Sequence, residues 1–225
     1  MTMRMRRKKN LDFRLENCDR HLLIKEEKGF YSWNESEKYR YLDFKQVFGN
    51  DNPVWLDLGA GKGGFAFEIA KRNPDINVLA VEKISNVIIE ALERAKEENP
   101  DNCMFMNCSA EILGYFIKPH TIDRIFLNFS CPYPKSTYKN RRLTYCRFLD
   151  IYKYLLKENG VIRLKTDDAD FFSYSVGSFK ENGFVVKDIT EILGKKNSPD
   201  DVLTEYEVMF REMGKTIYGL EARLA

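Results

Sequence analysis

The chain reads Val54-Trp-Leu-Asp-Leu-Gly-Ala-Gly-Lys-Gly-Gly-Phe65 where a short apolar run meets four closely spaced glycines. The apolar run predicts a strand over Val54–Leu58, and the residues after the glycines predict a helix that continues through Glu68–Arg72. Glycine tolerates positive φ and leaves N–H groups exposed at the start of a helix, so a ligand can approach such a turn closely. This stretch therefore predicts a strand–turn–helix unit that binds a nucleotide-like ligand.

Short apolar runs alternate with longer amphipathic segments through the rest of the chain. Further strands are predicted at Asn77–Val81, Met104–Asn107, Arg124–Asn128 and Val161–Lys165. Helices are predicted at Ile84–Glu98, Arg141–Lys157 and Ala169–Asn182, the last of them stopped by Gly183. Parallel strands need a helix to return the chain, so this alternation indicates an α/β fold. We expect a Rossmann-like, mainly parallel, doubly wound sheet with helices on both faces.

The first 50 residues are richer in charge and lack this alternation. They begin with a basic arm that contains Arg4, Arg6, Arg7, Lys8 and Lys9. We interpret residues 1–50 as this arm plus a helical extension that packs on the sheet, and residues 51–225 as the Rossmann-like domain. A chain of 225 residues with 44% hydrophobic residues can bury one core, so we expect a single domain overall.

Composition excludes several classes of protein. The formal charge of +2 is too small to indicate a polyanionic partner, because the placement of charge matters more than its total. The five cysteines form no C-x-x-C pair, which argues against a disulfide framework and a zinc site and favours a reducing compartment. No long apolar run follows the basic N-terminus or occurs elsewhere, so we expect a cytoplasmic protein with no membrane contact.

Two acids give the glycine turn its specificity. G-x-G-x-x-G alone is weak, but Glu82 ends the next strand about 20 residues later, where an acid accepts hydrogen bonds from ribose hydroxyls. Nicotinamide cofactors and S-adenosylmethionine share that feature. Asp57 separates them, because D-x-G-x-G-x-G resembles the first motif of Rossmann-like methyltransferases, and a carboxylate there suits a sulfonium ligand with an ammonium group. The alternative is a glycine turn beside two solvent-exposed acids.

Several further stretches occur in collinear order along nearly the whole chain. They are Met3-Arg-Met-Arg-Arg-Lys8, Val47-Phe-Gly-Asn-Asp-Asn-Pro53, Asn128-Phe-Ser-Cys-Pro-Tyr-Pro-Lys135, Lys165-Thr-Asp167 and Thr204-Glu-Tyr-Glu207. Together they resemble the bacterial tRNA (guanine-N7-)-methyltransferases. The stretch after the fourth predicted strand and the T-E-Y-E near the end are the specific ones.

The resemblance implies a Rossmann-like class I methyltransferase that methylates N7 of a guanosine in the tRNA variable loop. The product would be 7-methylguanosine, the cofactor S-adenosylmethionine, and no metal would take part. It would act as a monomer or homodimer without an obligate protein partner. Cofactor-binding positions fall on Asp57, Gly59, Gly61, Gly63, Glu82 and Ser109. Substrate-binding positions fall on Lys135, Asp167, Thr204, Glu205, Tyr206 and Glu207, to which we add the basic residues Arg141 and Arg142.

The sequence departs from the family pattern at two acids. Cys131 stands where the family has the Asp of Asp-Pro-Trp-Pro-Lys, and Ser109 stands where it has an Asp near the adenine. Guanine N7 has a lone pair and no proton, so methyl transfer needs alignment more than a general base. We therefore interpret Cys131 as a thiol that lines the pocket; a nucleophilic role is the alternative. Asp167 is expected to accept hydrogen bonds from guanine N1–H and the amino group, and capping the next helix is its alternative role.

A basic, tyrosine-rich stretch follows Cys131. It contains Lys135, Lys139, Arg141, Arg142 and Arg147, with Tyr133, Tyr138 and Tyr145 among them. Such a stretch can hold phosphates and stack on an unpaired base, but a solvated helix start has the same composition. Two other functions stay open at this point. One is a relative that binds tRNA and cofactor without turnover, and the other is a nicotinamide-dependent oxidoreductase.

Overall fold

The computed structural model describes residues 6–18, 20–25, 39–190 and 202–225. It contains one eight-stranded sheet. The strands are β1 Leu22–Lys25, β2 Val54–Leu58, β3 Asn77–Val81, β4 Cys103–Asn107, β5 Ile122–Asn128, β6 Leu156–Thr166, β7 Phe184–Asp188 and β8 Tyr218–Leu224. The helices are α1 Leu11–Glu16, α2 Phe44–Phe48, α3 Gly64–Arg72, α4 Ser85–Glu98, α5 Cys146–Leu155, α6 Ala169–Glu181 and α7 Glu205–Glu212, with 3₁₀ helices at Ala110–Tyr115 and Ser136–Arg141.

The strand order is β1-β4-β3-β2-β5-β6-β8-β7. The first six strands in this order pair in parallel, whereas β8 is antiparallel to both β6 and β7. The chain moves outward from β2 to β4 and then returns to the other side of β2 as β5. Ligands of open α/β sheets bind beyond the carboxyl ends of the strands at such a reversal, so the site is expected beside β2 and β5.

Helices cover both faces of the sheet. On one face α3 and α4 bury Phe65, Ile69, Ile88 and Leu92, and on the other α5 and α6 bury residues such as Tyr152. Every residue of β2 is buried, as expected for a parallel strand covered on both sides. The predicted Rossmann-like, doubly wound α/β fold is thereby confirmed. In the described part of the chain, no helix combines the length and apolarity that crossing a bilayer requires.

The structure corrects two of the predicted elements. The extension before residue 51 is not only helical, because Leu22–Lys25 forms an edge strand parallel to β4. The helix predicted over Arg141–Lys157 is shorter, since residues 136–141 form a 3₁₀ helix and the α-helix spans only Cys146–Leu155. Leu156 already pairs with Ile122 in the sheet, which ends the helix earlier than its apolar periodicity suggested.

Candidate functional site

A cavity of about 1060 Å³ opens where the carboxyl ends of β2, β3 and β5 meet. Its wall combines the glycine turn, the ends of these strands, the first 3₁₀ helix and the start of α7. The lining includes Asp57, Gly59, Gly61, Glu82, Ser109, Asn128, Ser130, Cys131, Tyr133, Arg141, Thr204, Glu205 and Tyr206. Most of the predicted site residues therefore share one cavity.

Glu82 holds the glycine turn in place. One carboxylate oxygen accepts a hydrogen bond from the backbone N–H of Gly61 at 3.2 Å, and the other accepts one from the N–H of Ile84 at 2.7 Å. The turn also receives backbone support, because the N–H groups of Gly59 and Ala60 both donate to the carbonyl of Val81. The turn and the end of β3 thus form one preorganised unit.

Asp57 lies beneath this turn and is only 2% exposed. Its Oδ2 is buried and has no hydrogen-bond partner among the described residues. Burial, and secondly the charge of Glu82, raise the pKa of Asp57 from 3.8 to about 7. A buried carboxylate without a partner is costly unless a ligand supplies a positive charge or a donor. The alternative of two solvent-exposed acids is therefore wrong for Asp57.

The glycines of the turn have different tasks. Gly59 and Gly61 have φ of 81° and 61°, and a Cβ added to either would have no heavy atom within 4 Å, so both leave open space on the cavity side. Gly63 does not line the cavity. A Cβ there would lie 2.9 Å from the Cβ of Ala91, so Gly63 allows α3 to pack closely on α4. Its predicted cofactor contact is replaced by a packing role, and Gly64 lines the cavity in its place.

Ser109 lies on the cofactor side of the cavity, at the end of β4. Its hydroxyl accepts a hydrogen bond from the N–H of Glu111 at 3.4 Å and so caps the 3₁₀ helix Ala110–Tyr115. Glu111 in turn pairs with Arg147 at 2.7 Å. No sequence pattern indicates this ion pair, because Glu111 and Arg147 lie 36 positions apart.

The segment after β5 forms the opposite wall. Phe129 has φ of 50°, a strained conformation for a bulky residue, and its neighbours Asn128 and Ser130 both line the cavity. The side-chain Nδ2 of Asn128 and Oγ of Ser130 are buried without a hydrogen-bond partner in the described part of the chain. Both residues belong to the stretch Asn128–Lys135, but the resemblance to the family predicts no role for them.

Cys131 is exposed and lines the cavity beside Tyr133. Burial raises the pKa of Tyr133, and the neighbouring Cys131 adds to the effect. Neither histidine of the chain lines the cavity, and His120 is held by the carbonyl of Leu156, at 3.0 Å from its Nδ1. The surroundings of Cys131 therefore favour a pocket-lining thiol over a nucleophile.

This placement leads to a prediction for Cys131. Because neither histidine lines the cavity beside this thiol, Cys131→Ser should keep the rate of the methyl transfer that the resemblance implies within about threefold of the unmodified chain, whereas a bulky alkylating reagent should block the cavity and slow the reaction strongly. Initial rates before and after alkylation, with Cys131→Ser as the alkylation control, provide the measurement. A Cys131→Ser rate that falls a thousandfold or more would mean that a thiolate takes part in the reaction.

The start of α7 forms another part of the cavity wall. Thr204 caps this helix by accepting a hydrogen bond from the N–H of Glu207 at 3.0 Å, and Glu205 and Tyr206 line the cavity. Tyr206 is 59% exposed, and its ring lies near those of Phe129 and Phe210. Three of the four T-E-Y-E residues are thus available to a ligand.

Glu207 has a different role from the predicted one. It is fully buried and binds Lys165 Nζ at 2.9 Å, while its other oxygen pairs with Arg211 at 2.7 Å. Because both carboxylate oxygens are engaged beneath the surface, Glu207 ties α7 to the end of β6 and does not line the cavity. Its predicted contact with substrate is corrected to this anchoring role.

Asp167 lies just beyond β6 and outside the cavity wall. Its carboxylate pairs with Lys215 Nζ at 2.5 Å, and the same ammonium lies 4.2 Å from the centre of the Phe210 ring. Asp167 does not cap the following helix; Asp168 does, by accepting a hydrogen bond from the N–H of Phe171 at 2.7 Å. We call the rings of Phe129, Tyr206 and Phe210 the aromatic rim of the cavity. Asp167 is paired with Lys215, and the ammonium group of Lys215 contacts this rim.

The basic residues divide between the cavity and its surroundings. Arg141 and Arg147 line the cavity, and Arg141 lies 4.6 Å from the centre of the Tyr138 ring. Arg142 stacks on Tyr174 and donates to the carbonyl of Tyr133, so it supports the segment that contains Cys131. Lys135 is exposed and outside the cavity lining.

The described part of the N-terminal arm is docked on α4. Lys8 pairs with Glu90 at 2.5 Å, and Glu90 also pairs with Lys62 of the glycine turn at 2.8 Å. These two lysines lower the pKa of Glu90 to about 2. Arg4 lies outside the described residues. Lys8 is therefore partly neutralised within the chain and is a weaker candidate for phosphate binding than the residues near Arg141.

The fold and this cavity define the class of Rossmann-like methyltransferases. Known structures with this fold include the 16S rRNA methyltransferase KamB, with a TM-score of 0.57 at 14% identity over 83% of this chain and 95% of that one. The 30S ribosomal A1408 methyltransferase from an uncultured bacterium gives a TM-score of 0.53 at 16% identity over 83% of this chain and 96% of that one. These likenesses support the fold alone.

Sequence relatives are closer. A family described as "Putative methyltransferase" matches residues 51–220. The tRNA (guanine-N(7)-)-methyltransferase of Streptococcus thermophilus is 35% identical over 98% of this chain and 99% of its own length. The enzyme of the same name from Bacillus subtilis is 39% identical over 78% of this chain and 82% of its own length. The chain belongs to the tRNA (guanine-N7-)-methyltransferase family.

Proposed function

We propose that this chain transfers a methyl group from S-adenosylmethionine to N7 of a guanosine in the tRNA variable loop and produces 7-methylguanosine. The observation that carries the proposal is the buried, unpartnered carboxylate of Asp57 beneath a glycine turn that Glu82 holds. Family membership supplies the substrate, because the relatives are named for guanine N7 in tRNA.

The residues present fit this cofactor. Asp57 offers a buried oxygen for the ammonium group, and the open space beside Gly59 and Gly61 lets the ligand approach the backbone. Glu82 lies where ribose hydroxyls are bound in this fold, and its two oxygens, which accept from the N–H groups of Gly61 and Ile84, each have a further lone pair. When bound, S-adenosylmethionine supplies an electrophilic methyl group on a cationic sulfur.

The chain contributes alignment and exclusion of water. Guanine N7 attacks with its own lone pair, so no side chain has to remove a proton from it. Cys131 and Tyr206 both line the cavity, in which we place the two reactants. Positioning of this kind can contribute about 7–11 kcal/mol to lowering a barrier, so we expect that loss of a carboxylate at position 131 need not abolish catalysis.

One incubation tests the proposal. Purified protein, methyl-labelled S-adenosylmethionine and bulk unmodified tRNA are combined, and the tRNA is digested to nucleosides. Label in 7-methylguanosine is the expected result. Label in another nucleoside would support the cofactor but reject N7 of guanosine as the target. Binding of tRNA and S-adenosylmethionine without any transfer of label would favour the alternative of a relative that binds both but no longer catalyses the reaction.

We place the tRNA backbone on the basic stretch beside the cavity. Lys139→Ala and Arg141→Ala should each weaken tRNA binding and lower the slope of log affinity against log salt by about one. Lys118→Ala is the matched control, since this exposed lysine precedes the amino end of β5, whereas the cavity lies at the carboxyl ends of the strands. Binding isotherms at several salt concentrations provide the measurement. Equal slopes for all the variants would remove this stretch from the interface.

Asp167 is proposed to hold the Watson–Crick edge of the guanine from the rim of the cavity. Its carboxylate is held in place by Lys215, which leaves lone pairs for guanine N1–H and the amino group. Asp167→Asn should lower kcat/KM by about 10- to 100-fold, because one acceptor oxygen becomes a donor. Asp168→Asn, which can still cap α6, serves as the neighbouring control. Unchanged methylation by Asp167→Asn would remove the residue from the site.

A further inference from the structure

Two polar atoms in the cavity wall have no partner that the fold provides. The Nδ2 of Asn128 and the Oγ of Ser130 are buried, and neither makes a hydrogen bond to any residue that the structure describes. Both residues are among those that line the cavity; Asn128 is the last residue of β5, and Ser130 follows it. Buried polar atoms are nearly always paired, so a pair of unpaired ones in a cavity points to a ligand or ordered water.

The segment that carries them is fixed. Phe129 lies between the two residues with φ of 50°, and its N–H donates to the carbonyl of Lys165 at 2.8 Å. Its ring lies 5.7 Å from that of Phe210 and 6.3 Å from that of Tyr206. A strained conformation persists only where the surroundings impose it, and such strain concentrates at functional sites. Asn128 and Ser130 are thus held in place on a rigid backbone.

Asn128 and Ser130 lie at the end of the strand that neighbours the strand of Asp57. Asp57 is paired with Phe126 across the β2–β5 ladder, and Asn128 lies two residues further toward the carboxyl end of β5. The two unpaired atoms therefore belong to the cavity wall at the carboxyl end of β5, the strand beside the one that leads into the glycine turn. A base that presents N7 to a methyl group held on that turn must bring its Hoogsteen edge to this wall.

We infer that Asn128 and Ser130 bind O6 of the target guanine and thereby orient its N7. This inference rests on the proposed function. The Hoogsteen edge of guanine offers two acceptors, N7 and O6, whereas adenine offers N7 and an amino donor. The amide Nδ2 and the serine hydroxyl can both donate, and a carbonyl oxygen has lone pairs for two donors.

The role of the two residues is positioning, not activation. A donor on O6 withdraws electron density from the ring, so it does not make N7 a stronger nucleophile. Its benefit is that N7 is held in line with the methyl group while the lone pair forms the new bond and the sulfur–carbon electrons return to sulfur. The effect of removing the donors should therefore depend on which atom the base carries at position 6.

A comparison of substrate analogues tests the inference. The guanosine that the unmodified protein methylates is replaced, in ligated tRNA, by 6-thioguanosine, whose sulfur is a poor acceptor, or by inosine, which keeps O6 and N7. The unmodified protein should prefer guanosine over 6-thioguanosine by about 10- to 100-fold in kcat/KM, because two buried donors lose their acceptor. In the double variant Asn128→Ala, Ser130→Ala this ratio should fall close to one, while the guanosine-to-inosine ratio stays unchanged.

Two controls separate this from a general defect. Ser109→Ala, in the cofactor wall of the same cavity, should retain the preference for guanosine over 6-thioguanosine even if its overall rate falls. Thermal unfolding and cofactor titration show whether the double variant is folded. An unchanged guanosine-to-6-thioguanosine ratio in a folded double variant would overturn this inference but not the proposed function. Ordered water would then be the partner of the two polar atoms. Absence of 7-methylguanosine with the unmodified protein would overturn the proposed function together with it.

Discussion

Asp57→Asn is expected to stabilise the unliganded protein above pH 7 and to remove most of its affinity for S-adenosylmethionine. The two effects have one cause. Asp57 is buried without a partner, so its ionised form is unfavourable in the empty cavity and favourable when an ammonium group arrives. A hydrogen bond to a charged group is worth about 1.5–3 kcal/mol, and its loss should weaken the affinity by about 10- to 150-fold.

The pH dependence of this effect has a defined sign. The folded pKa of Asp57 is about 7, above its usual 3.8, so between these pH values the folded state binds more protons than the unfolded state. Asp57 therefore lowers the free energy of unfolding as pH rises from about 4 to 7, and its contribution becomes constant above that. Each pKa unit corresponds to about 1.4 kcal/mol. The shift from 3.8 to about 7 therefore lowers the free energy of unfolding by at most about 4 kcal/mol.

Another residue titrates in the same range. Burial and the nearby Arg20 lower the pKa of His21 below 6.5, which makes stability rise with pH in part of this range. The difference between the unmodified protein and Asp57→Asn cancels this term, since both contain His21. Denaturant unfolding at pH 5 and pH 8 provides the measurement, with the exposed Asp150→Asn as control. Equal stability differences at the two pH values would show that Asp57 has an ordinary pKa.

Glu207→Ala is expected to destabilise the fold by about 3–5 kcal/mol, the usual loss when one partner of a buried ion pair is removed. Lys165 is 4% exposed and would lose the carboxylate of Glu207, while it also donates a 3.4 Å hydrogen bond to the carbonyl of Val202. In a chain of this length, such a loss lowers the unfolding temperature by roughly 10 °C or more. The start of α7, with Glu205 and Tyr206, should also lose its fixed position over the cavity.

Two variants define the cause of this loss. Arg211→Ala removes only the half-exposed partner of Glu207 and should cost no more than about 1 kcal/mol. The double variant Lys165→Met, Glu207→Met removes both buried charges and should regain most of the lost stability. Thermal and denaturant unfolding are compared across these variants. A double variant as unstable as Glu207→Ala would show that the carboxylate stabilises α7 by something other than its pairing with Lys165.

The glycine turn was predictable because local chemistry determines it. An apolar run, four glycines and an acid about 20 residues later specify a strand, a turn and the next strand without any distant contact. Asp57 followed from the same stretch, and the structure adds that it is buried and unpaired. Most of the residues that the resemblance to the family identified line the cavity.

The remaining features depend on contacts that no short pattern reveals. Asp167 and Asp168 are adjacent acids, and only the pairing with Lys215, 48 residues away, distinguishes a rim residue from a helix cap. Glu207 belongs to a motif of otherwise accessible residues, but it meets Lys165 across 42 residues and is buried. Strand β1 was missed because its four residues have no alternating pattern and pair with β4, far along the chain.

Calorimetric titration of the purified protein tests the central claim, that two acids and a glycine turn hold a cationic methyl donor in this cavity. S-Adenosylmethionine should bind at one site per chain, and a nicotinamide dinucleotide under the same conditions should produce no binding heat. Binding of the dinucleotide in the absence of any response to S-adenosylmethionine would contradict the claim.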